Sequence, residues 1–341
     1  MLNYIENKNI DRSKWDRCIR SSINETIYAY SWYLDFVCDS WDALVEDDYI
    51  SVFPLVFKTK FGVTYIYQPY FAQQLGLFSL KTISVSKTNE FLQSIPYKFK
   101  YVDFCLNTYN RTSLTEYTIS EKVTYQLDLI NNYDVIYKSF SNNNKRNIKK
   151  SAKHNVNISQ DVLPIDIIKI FRKNRGKTVI KWGDTQYESL KKILYFFLRN
   201  NCLKMYGAYN DKNTLIAGAF FVFSANKAIF LFSGNTPEGK EKGAMFAIIN
   251  EFIKEFSSTN VTLDFEGSDD TNLARFYAGF GSQKTIYNHL KRNHLNFIEN
   301  TFFVLYRSPL FVFFKNTYLL CQKQILNLLK FSTKNKLDKE N

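Results

Sequence analysis

The sequence is poor in the residues that bind metal ions or form disulfides. It has 5 cysteines and 3 histidines in 341 residues. The cysteines are odd in number and far apart, no C-x-x-C occurs, and no histidine stands at metal-ligand spacing. This pattern argues against a zinc site and is typical of reduced thiols in a cytosol, so we predict no metal. The cysteines are Cys18, Cys38, Cys105, Cys202 and Cys321.

Long apolar runs are missing as well. No uninterrupted apolar stretch of about 18 residues occurs. The longest candidate, "SPLFVFFKNTYLLC", is interrupted by Lys315 and Asn316. The first residues, "MLNYIENKNIDRSKW", do not have the basic-then-apolar pattern of a secretion signal. We therefore expect a cytoplasmic protein that is neither secreted nor membrane-spanning.

Two sequence patterns that would name a protein class are also absent. No repeat with a period of about 20 to 50 residues is visible, which excludes a solenoid as the first hypothesis. No G-x-x-x-x-G-K-[ST] motif occurs. An enzyme driven by nucleotide hydrolysis is therefore poorly supported.

Positive charge is present in excess. The formal net charge is +13 and the pI is near 9.3. Such a chain favours anionic partners, which include nucleic acid, phosphorylated substrates and the acidic face of a membrane. Hydrophobic residues make up 45% and charged residues 23%, as in a folded protein. The length predicts two core-bearing units of about 150 residues each.

The N-terminal part predicts helices followed by strands. The helical patterns are "DRSKWDRCIR" and "SWYLDFVCDS", and the strand patterns are "YISVFPLVFKT" and "VTYIYQP". A polar, Asn-rich and basic segment after residue 130 interrupts the pattern. We predict an N-terminal unit over 1–130, a C-terminal unit over 131–297, and a basic amphipathic helix with a disordered tail over 298–341.

The C-terminal unit has the clearer pattern. After two helices, the β-rich runs "LKMYGAYND", "TLIAGAFFVFS" and "KAIFLFSG" predict an antiparallel meander. The loop "NTPEGKEKG" precedes the helix "AMFAIINEFIKEF", whose apolar residues form one stripe. The strand "VTLDF", a helix from about Thr271 to Gly279 and the strand "KTIYNHLKR" follow.

This order, with the residues at its joints, resembles the core of the GNAT acyltransferase superfamily. In that family a basic residue or Gln, followed by x-x-Gly-x-Gly/Ala, opens a helix that binds the pyrophosphate of acyl-CoA. The matching residues are Lys240 and Gly243, and Lys242 is included among the donor-binding candidates. The second small residue is replaced by Met245, which would crowd a pyrophosphate. The alternative is a solvated basic turn.

Downstream, "ARFYAGFG" is similar to the family's A-x-x-x-Tyr-x-x-x-Gly-Phe helix, although Phe280 and Gly281 stand in reversed order. The resemblance implies that Tyr277 protonates the departing group. Leu273, Phe276 and Phe280 share a helix face with it. Tyr277 as a core residue is therefore the alternative.

Longer matches indicate the FemAB-like branch of peptidyl and aminoacyl transferases. "LDFEGSDDTNLARFYAGFG", "KRNIKKSAKHNVNIS" and "YQPYFAQQLGLFS" resemble segments of that branch. They add Ser268 and Gln74 as substrate-binding candidates. The resemblance implies an α+β fold with two GNAT-like units, each a mixed, largely antiparallel sheet flanked by helices. No heptad pattern predicts the coiled-coil arm of some Fem transferases.

The same resemblance implies an N- or O-acyltransferase, or an aminoacyl transferase. The donor would be an acyl-CoA or an aminoacyl-tRNA. The acceptor would be an amino- or hydroxyl-bearing precursor of the cell envelope or of a polysaccharide. The alternative is a non-catalytic protein of the GNAT fold that binds RNA or an anionic membrane surface.

Two carboxylates at the end of one strand are candidate catalytic groups. In a continuing strand, Asp264 and Glu266 point to one side, about 6.6 Å apart. One would act as general base and the other would orient an amine or hydroxyl. Gly267 permits a sharp turn there, and Asp269 or Asp270 caps the next helix. A purely structural role for both carboxylates is the alternative.

A run of cations forms a second candidate site. Lys145, Arg146, Lys149, Lys150 and Lys153 have no acid among them and form a ridge along a predicted helix. We assign Lys145, Arg146 and Lys149 to binding of an anionic substrate, either a small or lipid-linked precursor or a tRNA. Solvated surface is the alternative.

The C-terminal segment "SPLFVFFKNTYLLCQKQILNLLKF" has an apolar side with lysines beside it. Such a helix can lie on the inner face of an anionic membrane, and it can also pack on its own domain. The sequence leaves both open.

Overall fold

The structure, a computed structural model, describes residues 1–177, 182–267 and 270–307. Chain contacts divide the protein into two compact units, Met1–Arg292 and Asn293–Asn341. The first unit contains all the described strands and every candidate site residue that the structure describes. Ser268 and Asp269 lie outside the described residues.

The N-terminal half of the first unit contains seven strands and three helices within the described residues. The strands are β1 (Leu2–Ile5), β2 (Trp41–Glu46), β3 (Ser51–Lys60), β4 (Val63–Tyr67), β5 (Phe78–Ser79), β6 (Phe99–Cys105) and β7 (Thr118–Asp128). The helices are α1 (Arg12–Ser21), α2 (Ser31–Val37) and α3 (Val85–Gln93).

The C-terminal half alternates helices and strands. Its helices are α4 (Tyr133–Ser139), α5 (Asn142–Lys153), α6 (Pro164–Lys173), α7 (Asp184–Arg199), α8 (Pro237–Glu241), α9 (Ala244–Phe256) and α10 (Thr271–Ala278). Its strands are β8 (Asn157–Ser159), β9 (Leu203–Tyr209), β10 (Leu215–Ser224), β11 (Lys227–Asn235), β12 (Thr262–Asp264) and β13 (Gln283–Asn293).

The described strands form one 13-stranded sheet with a symmetric order. The order is β1-β2-β3-β4-β6-β13-β7-β12-β11-β10-β9-β8, and β5 pairs with β3. Each half starts with an antiparallel meander, β1 to β4 or β8 to β11. Each meander ends in one parallel pair, β4 with β6 or β11 with β12. The predicted α+β class with two largely antiparallel halves is confirmed.

The two halves exchange strands at the centre of the sheet. β7 precedes residue 130 in the chain, yet it pairs with β12 of the C-terminal half. β13 lies between β6 and β7. A division at residue 130 therefore separates β7 from β12 and from β13, and the three proposed domain ranges stay a prediction.

Most of the predicted elements are present. Helix α9 covers the residues of "AMFAIINEFIKEF", and β9, β10 and β11 form the predicted antiparallel meander. Strands β1 and β2 were not predicted, because β1 is short and β2 is buried over its first five residues without alternation. The loop "NTPEGKEKG" contains α8, which the Thr236 hydroxyl caps by accepting the Gly239 N–H at 3.0 Å.

Helix α9 fixes the position of the loop before it. Its buried stripe packs on the meander, and Phe252 stacks on Phe221 with ring centroids 4.0 Å apart. Because the stripe is continuous along the helix, the first turn of α9 is held against the sheet.

In the second unit, the described residues form helix α11 (Phe297–Arg307). The predicted amphipathic segment that begins at Ser308 lies outside the described residues. No helix in the described part of the chain is long and apolar enough to cross a membrane.

Candidate active site

The candidate site lies where β11 and β12 separate. Their parallel pairing ends at Ile229 and Asp264. The register between β10 and β11 also shifts, so that Leu231 has no Cα partner on β10. An extra residue of this kind bends a strand and increases its twist. Beyond the last pair, a cavity of about 240 Å³ opens beside β11.

Four parts of the C-terminal half line this cavity, which we call the donor cavity: α6 with the turn after it, β11, α8 with the start of α9, and α10. Its lining is mostly apolar and aromatic, with two cations, Arg175 and Lys240. No described lining residue is an acid. The lining includes Phe230, Lys240, Gly243, Met245, Phe276 and Tyr277.

The turn from Lys240 to Gly243 forms one wall. Gly243 precedes α9 with φ +73, in the left-handed region that favours glycine. A Cβ atom at this position would lie 2.7 Å from the Asn147 carbonyl oxygen. Glycine is therefore required both for the turn and for its contact with α5. The Gly243 carbonyl oxygen accepts from the Phe246 and Ala247 N–H groups, and the positive end of the α9 dipole favours an anion here.

Met245 is the residue that departs from the family pattern. It is 8% exposed and lines the donor cavity. Its side chain therefore belongs to the apolar wall as well as to the core. Lys242 forms ion pairs with Glu238 at 2.9 Å and Asp211 at 3.6 Å. It is not among the residues that line the cavity.

Tyr277 lies on α10 in another wall of the cavity. Asp270 caps this helix by accepting hydrogen bonds from two N–H groups of its first turn. Tyr277 is 7% exposed, and its ring stacks on Phe265 with centroids 5.1 Å apart. Burial and, to a smaller extent, the Glu266 charge raise the pKa of Tyr277. The phenol keeps its proton, so it can act as a donor. Tyr277 belongs to the core and lines the cavity at once.

Glu266 lies beyond the end of the strand. β12 ends at Asp264, and Glu266 has a left-handed φ of +50. The expectation that both carboxylates share one face of a continuing strand is therefore wrong. The next residue explains the turn: a Cβ on Gly267 would lie 1.3 Å from the Val123 carbonyl oxygen, so only glycine permits this approach.

Asp264 is buried and fully engaged with its neighbours. One carboxylate oxygen accepts from the Thr124 hydroxyl at 2.5 Å and from the Glu266 N–H at 2.9 Å. The other accepts from Gln126 Nε2 at 2.8 Å. Asp264 thus holds the backbone of Glu266 in its left-handed conformation. This arrangement suits a positioning role.

The Glu266 side chain is half-buried and bonded to the N-terminal half. Burial, and to a smaller extent the Asp264 charge, raise the pKa of Glu266 to about 8. The Tyr28 hydroxyl donates to Glu266 Oε1, which opposes part of this rise. Tyr28 was missed by sequence reasoning, because it stands in no motif and is 238 residues away.

Gln74, another sequence candidate, lies near these residues. It is buried, and its Oε1 accepts from the Thr108 N–H at 3.0 Å. A small cavity is lined by Gln74 together with Tyr28 and Asp264. The structure thus brings Gln74 into the neighbourhood of the carboxylates although it lies in the other half.

The cationic candidates lie on α5. Lys145 Nζ donates to the Lys138 carbonyl oxygen at 2.9 Å, and Arg146 donates to Asn143 Oδ1 at 3.0 Å. Lys149 lines the same open surface as both. Since Asn147 of this helix lies against Gly243, the ridge is on the helix that supports the donor turn.

Comparisons with known proteins give structural relatives. No protein-family model matches the chain, and no curated protein matches it. The crystal structure of FemX is similar over 84% of this chain and 96% of that chain, with 13% identity and a TM-score of 0.56. A conserved protein of unknown function from Bacteroides thetaiotaomicron is similar over 85% of this chain and 99% of that chain, with 11% identity and a TM-score of 0.52.

At these identities the likeness concerns the fold. The similarity extends over most of the chain and over nearly all of FemX. The chain therefore has the fold of FemX, and its predicted resemblance to the FemAB-like branch of the GNAT superfamily is confirmed at the level of that fold.

Proposed function

We propose that the protein is an acyltransferase that forms an amide or ester on an amino- or hydroxyl-bearing acceptor. One observation carries the proposal: the Lys240–Gly243 turn and Tyr277 line a single cavity where β11 and β12 separate. Burial and, to a smaller extent, the charge of Glu266 raise the pKa of Tyr277, which supports an interaction between the two groups.

The donor's phosphate groups bind at the start of α9. The positive end of the α9 dipole and the Lys240 ammonium favour negative charge there. The acyl group then lies against the apolar wall of Phe230 and Phe276. Because the wall excludes water, hydrogen bonds to the developing charge are strengthened.

Glu266 and Tyr277 each carry out one proton transfer. The Glu266 carboxylate takes a proton from the acceptor, whose nitrogen or oxygen forms a bond to the acyl carbon. The bond from that carbon to the donor's sulfur or oxygen breaks, and Tyr277 gives its proton to the leaving atom. For a neutral acceptor, the proton on Glu266 restores the phenol, so no net proton is released.

The donor is an acyl-CoA or an aminoacyl-tRNA. Met245 in the wall counts against a pyrophosphate bound in the usual way. The FemAB-like resemblance further supports a cytoplasmic enzyme whose acceptor is a cell-envelope or polysaccharide precursor. Lys145, Arg146 and Lys149 would bind the anionic part of that precursor, or of a tRNA.

Binding without catalysis is the second candidate function. The α5 ridge has five cations and no acid, and its surface is open. Such a ridge binds RNA or an anionic membrane with steep salt dependence. Charge reversal at Lys149 would then abolish the function, whereas substitutions in the donor cavity would have no effect.

Ligand-dependent melting followed by acyl transfer tests the proposal. A donor at a hundred times its dissociation constant should raise the free energy of unfolding by about 2.7 kcal/mol. CoA, acetyl-CoA and an aminoacyl-tRNA are titrated separately. Tyr277→Phe should retain this stabilisation and lose transfer. Tyr133→Phe is the matched control, because its hydroxyl donates to Asn250 Oδ1 outside the cavity.

The pH dependence gives an independent readout. Since Glu266 must be ionised to accept a proton, kcat/KM should rise with pH through about 8. The loss of this rise in Glu266→Gln would support its role as base. Stabilisation by none of the three donors would contradict the donor site, and normal transfer by Glu266→Gln would contradict the role of Glu266.

A further inference from the structure

A second, smaller cavity is lined in part by Asp264, whose carboxylate accepts from the Glu266 N–H. We call it the polar chamber, and most of its lining is polar. Its volume is about 20 Å³, and a single water needs about 10–15 Å³. The chamber therefore has room for one water molecule. Its lining includes Asn24, Tyr28, Gln74, Tyr109 and Asp264.

One side chain of the chamber has an unused acceptor. Asn24 is 2% exposed, and its Nδ2 donates to the Leu77 carbonyl oxygen at 2.7 Å and to Asn107 Oδ1 at 3.2 Å. Its Oδ1 has no hydrogen-bond partner among the described residues. A buried acceptor without a partner is unfavourable, because it has lost its hydrogen bond to water. A water in the chamber would remove this cost by donating to Asn24.

Tyr28 connects the chamber to the candidate base. It is 3% exposed, it lines the chamber, and its hydroxyl donates to Glu266. A phenol hydroxyl can accept one proton while it donates its own. Tyr28 is therefore placed to pass a proton between Glu266 and a water in the chamber.

We propose that Tyr28 and one water in the polar chamber carry a proton from Glu266 to solvent. The proposal rests on the proposed acyltransferase function. In this step the protonated Glu266 gives its proton to the Tyr28 oxygen, and the Tyr28 proton moves to the water. Tyr28 ends as a neutral phenol and Glu266 as a carboxylate, so both return to their starting state.

Such an exit is needed for one class of acceptor. An amine is an ammonium ion at neutral pH, and forming an amide removes two of its protons. One leaves with the donor's sulfur or oxygen through Tyr277, and the other must reach solvent. A hydroxyl acceptor releases no such second proton. The exit therefore favours an amine as the acceptor.

The far side of the chamber gives access to solvent. Tyr109 is 45% exposed and lines the chamber. Both Tyr109 and Tyr28 belong to the N-terminal half, whereas the donor cavity is lined by residues of the C-terminal half. The proton thus leaves by a path that the bound donor does not block.

A crystal structure at a resolution that shows ordered water tests the chamber without any assay. We expect one water within about 3 Å of both Asn24 Oδ1 and the Tyr28 hydroxyl. A dry chamber, or one filled by a side chain, would overturn the proposal even if the enzyme is active.

Kinetics of Tyr28→Phe with an amine acceptor test the role. We expect kcat to fall about 10²-fold, with KM and donor binding unchanged and with a larger solvent isotope effect. Tyr33→Phe is the control, because it removes an equally buried hydroxyl whose partner is the Phe71 carbonyl oxygen. The ring centroids of Tyr33 and Tyr28 are 5.8 Å apart, but Tyr33 does not line the chamber.

The outcomes separate the two proposals. An active wild type with an unaffected Tyr28→Phe variant would overturn the relay and leave the acyltransferase in place. A wild type that transfers no acyl group would remove both, whatever the chamber contains. Equal losses in Tyr28→Phe and Tyr33→Phe, with unchanged isotope effects, would show a structural role and reject the relay.

Discussion

The two halves of the sheet each contain one parallel pair, and they differ in what lies beyond it. In the N-terminal half the pairing of β4 and β6 ends at Tyr67 and Asp103. Beyond this pair, the Leu75 N–H donates to the Cys105 carbonyl oxygen at 3.0 Å, and the Asn107 N–H donates to the Leu75 carbonyl oxygen at 2.7 Å. The chain's own backbone fills the space between the strands.

In the C-terminal half the corresponding space is the donor cavity. The pairing of β11 and β12 also ends at an aspartate, Asp264. Here the following chain turns away at Glu266 and forms the wall that contains Tyr277. A shared strand order is therefore compatible with a cavity in the half where no backbone of the described residues pairs within the separation.

The largest expected effect is on catalysis. Glu266→Gln should reduce acyl transfer by about 10²-fold or more, because it removes the base. Asp103→Asn is the matched control, because Asp103 ends the parallel pair of the filled half. Transfer rates and donor binding are measured for both. Equal losses in the two variants would contradict the assignment of the site to one half.

The second expected effect concerns the turn before α9. Gly243→Ala should cost about 1–2 kcal/mol for its left-handed backbone and more for its contact with Asn147. It should also weaken donor binding. Gly62→Ala is the control, because Gly62 has φ +76 but nothing within 4 Å of a new Cβ.

Urea unfolding and donor titration compare these two glycine variants. If Gly62→Ala and Gly243→Ala lose equal stability and bind donor equally well, the turn has no special role in the donor cavity.

A third prediction concerns the filled half. Asn110 is fully buried. Its Oδ1 accepts from the Leu77 N–H at 2.7 Å, and its Nδ2 donates to the Leu77 carbonyl oxygen at 3.1 Å. Asn110→Ala should lower the free energy of unfolding by about 1–3 kcal/mol. Donor affinity should not change. A lost donor response in the folded variant would show that the filled half takes part in donor binding.

The last expected effect is on the pH dependence of stability. The folded pKa of Glu266, about 8, lies above its ordinary value of 4.5. The protonated form therefore stabilises the fold below about pH 4.5, and this contribution is lost as the pH rises through about 8. Glu266→Gln should not show that loss. Melting temperatures of both proteins at pH 5 and pH 9 measure the difference, and parallel curves would contradict it.

The sequence predicted those parts of the site that are local in the chain. Lys240, Gly243 and Tyr277 stand at the ends of elements with clear periodicity, and the structure places all three on one cavity. Lys242 was not predictable from its spacing in the motif. The short helix α8 brings it to Glu238, four residues earlier, with which it forms an ion pair. Spacing alone does not reveal which side of a loop a lysine occupies.

Other parts of the site depend on contacts that no local pattern contains. Tyr28 meets Glu266 across 238 residues. The predicted strand continues to Glu266, whereas β12 ends at Asp264. The strand ends there because Gly267 approaches the Val123 carbonyl oxygen, a contact that no local pattern reveals. Gln74 was proposed from a resemblance, and its position beside Asp264 follows from the packing of the two halves.

The exchange of β7 and β13 also sets an order of events during synthesis. When β7 emerges from the ribosome, neither of its neighbours, β12 and β13, has been made. One edge of β6 likewise stays unpaired until β13 has been synthesised. Long-range pairing of this kind closes large loops and is slow. The N-terminal half thus carries unpaired strand edges until residue 293 is available, and a chaperone that covers such edges would act in that interval.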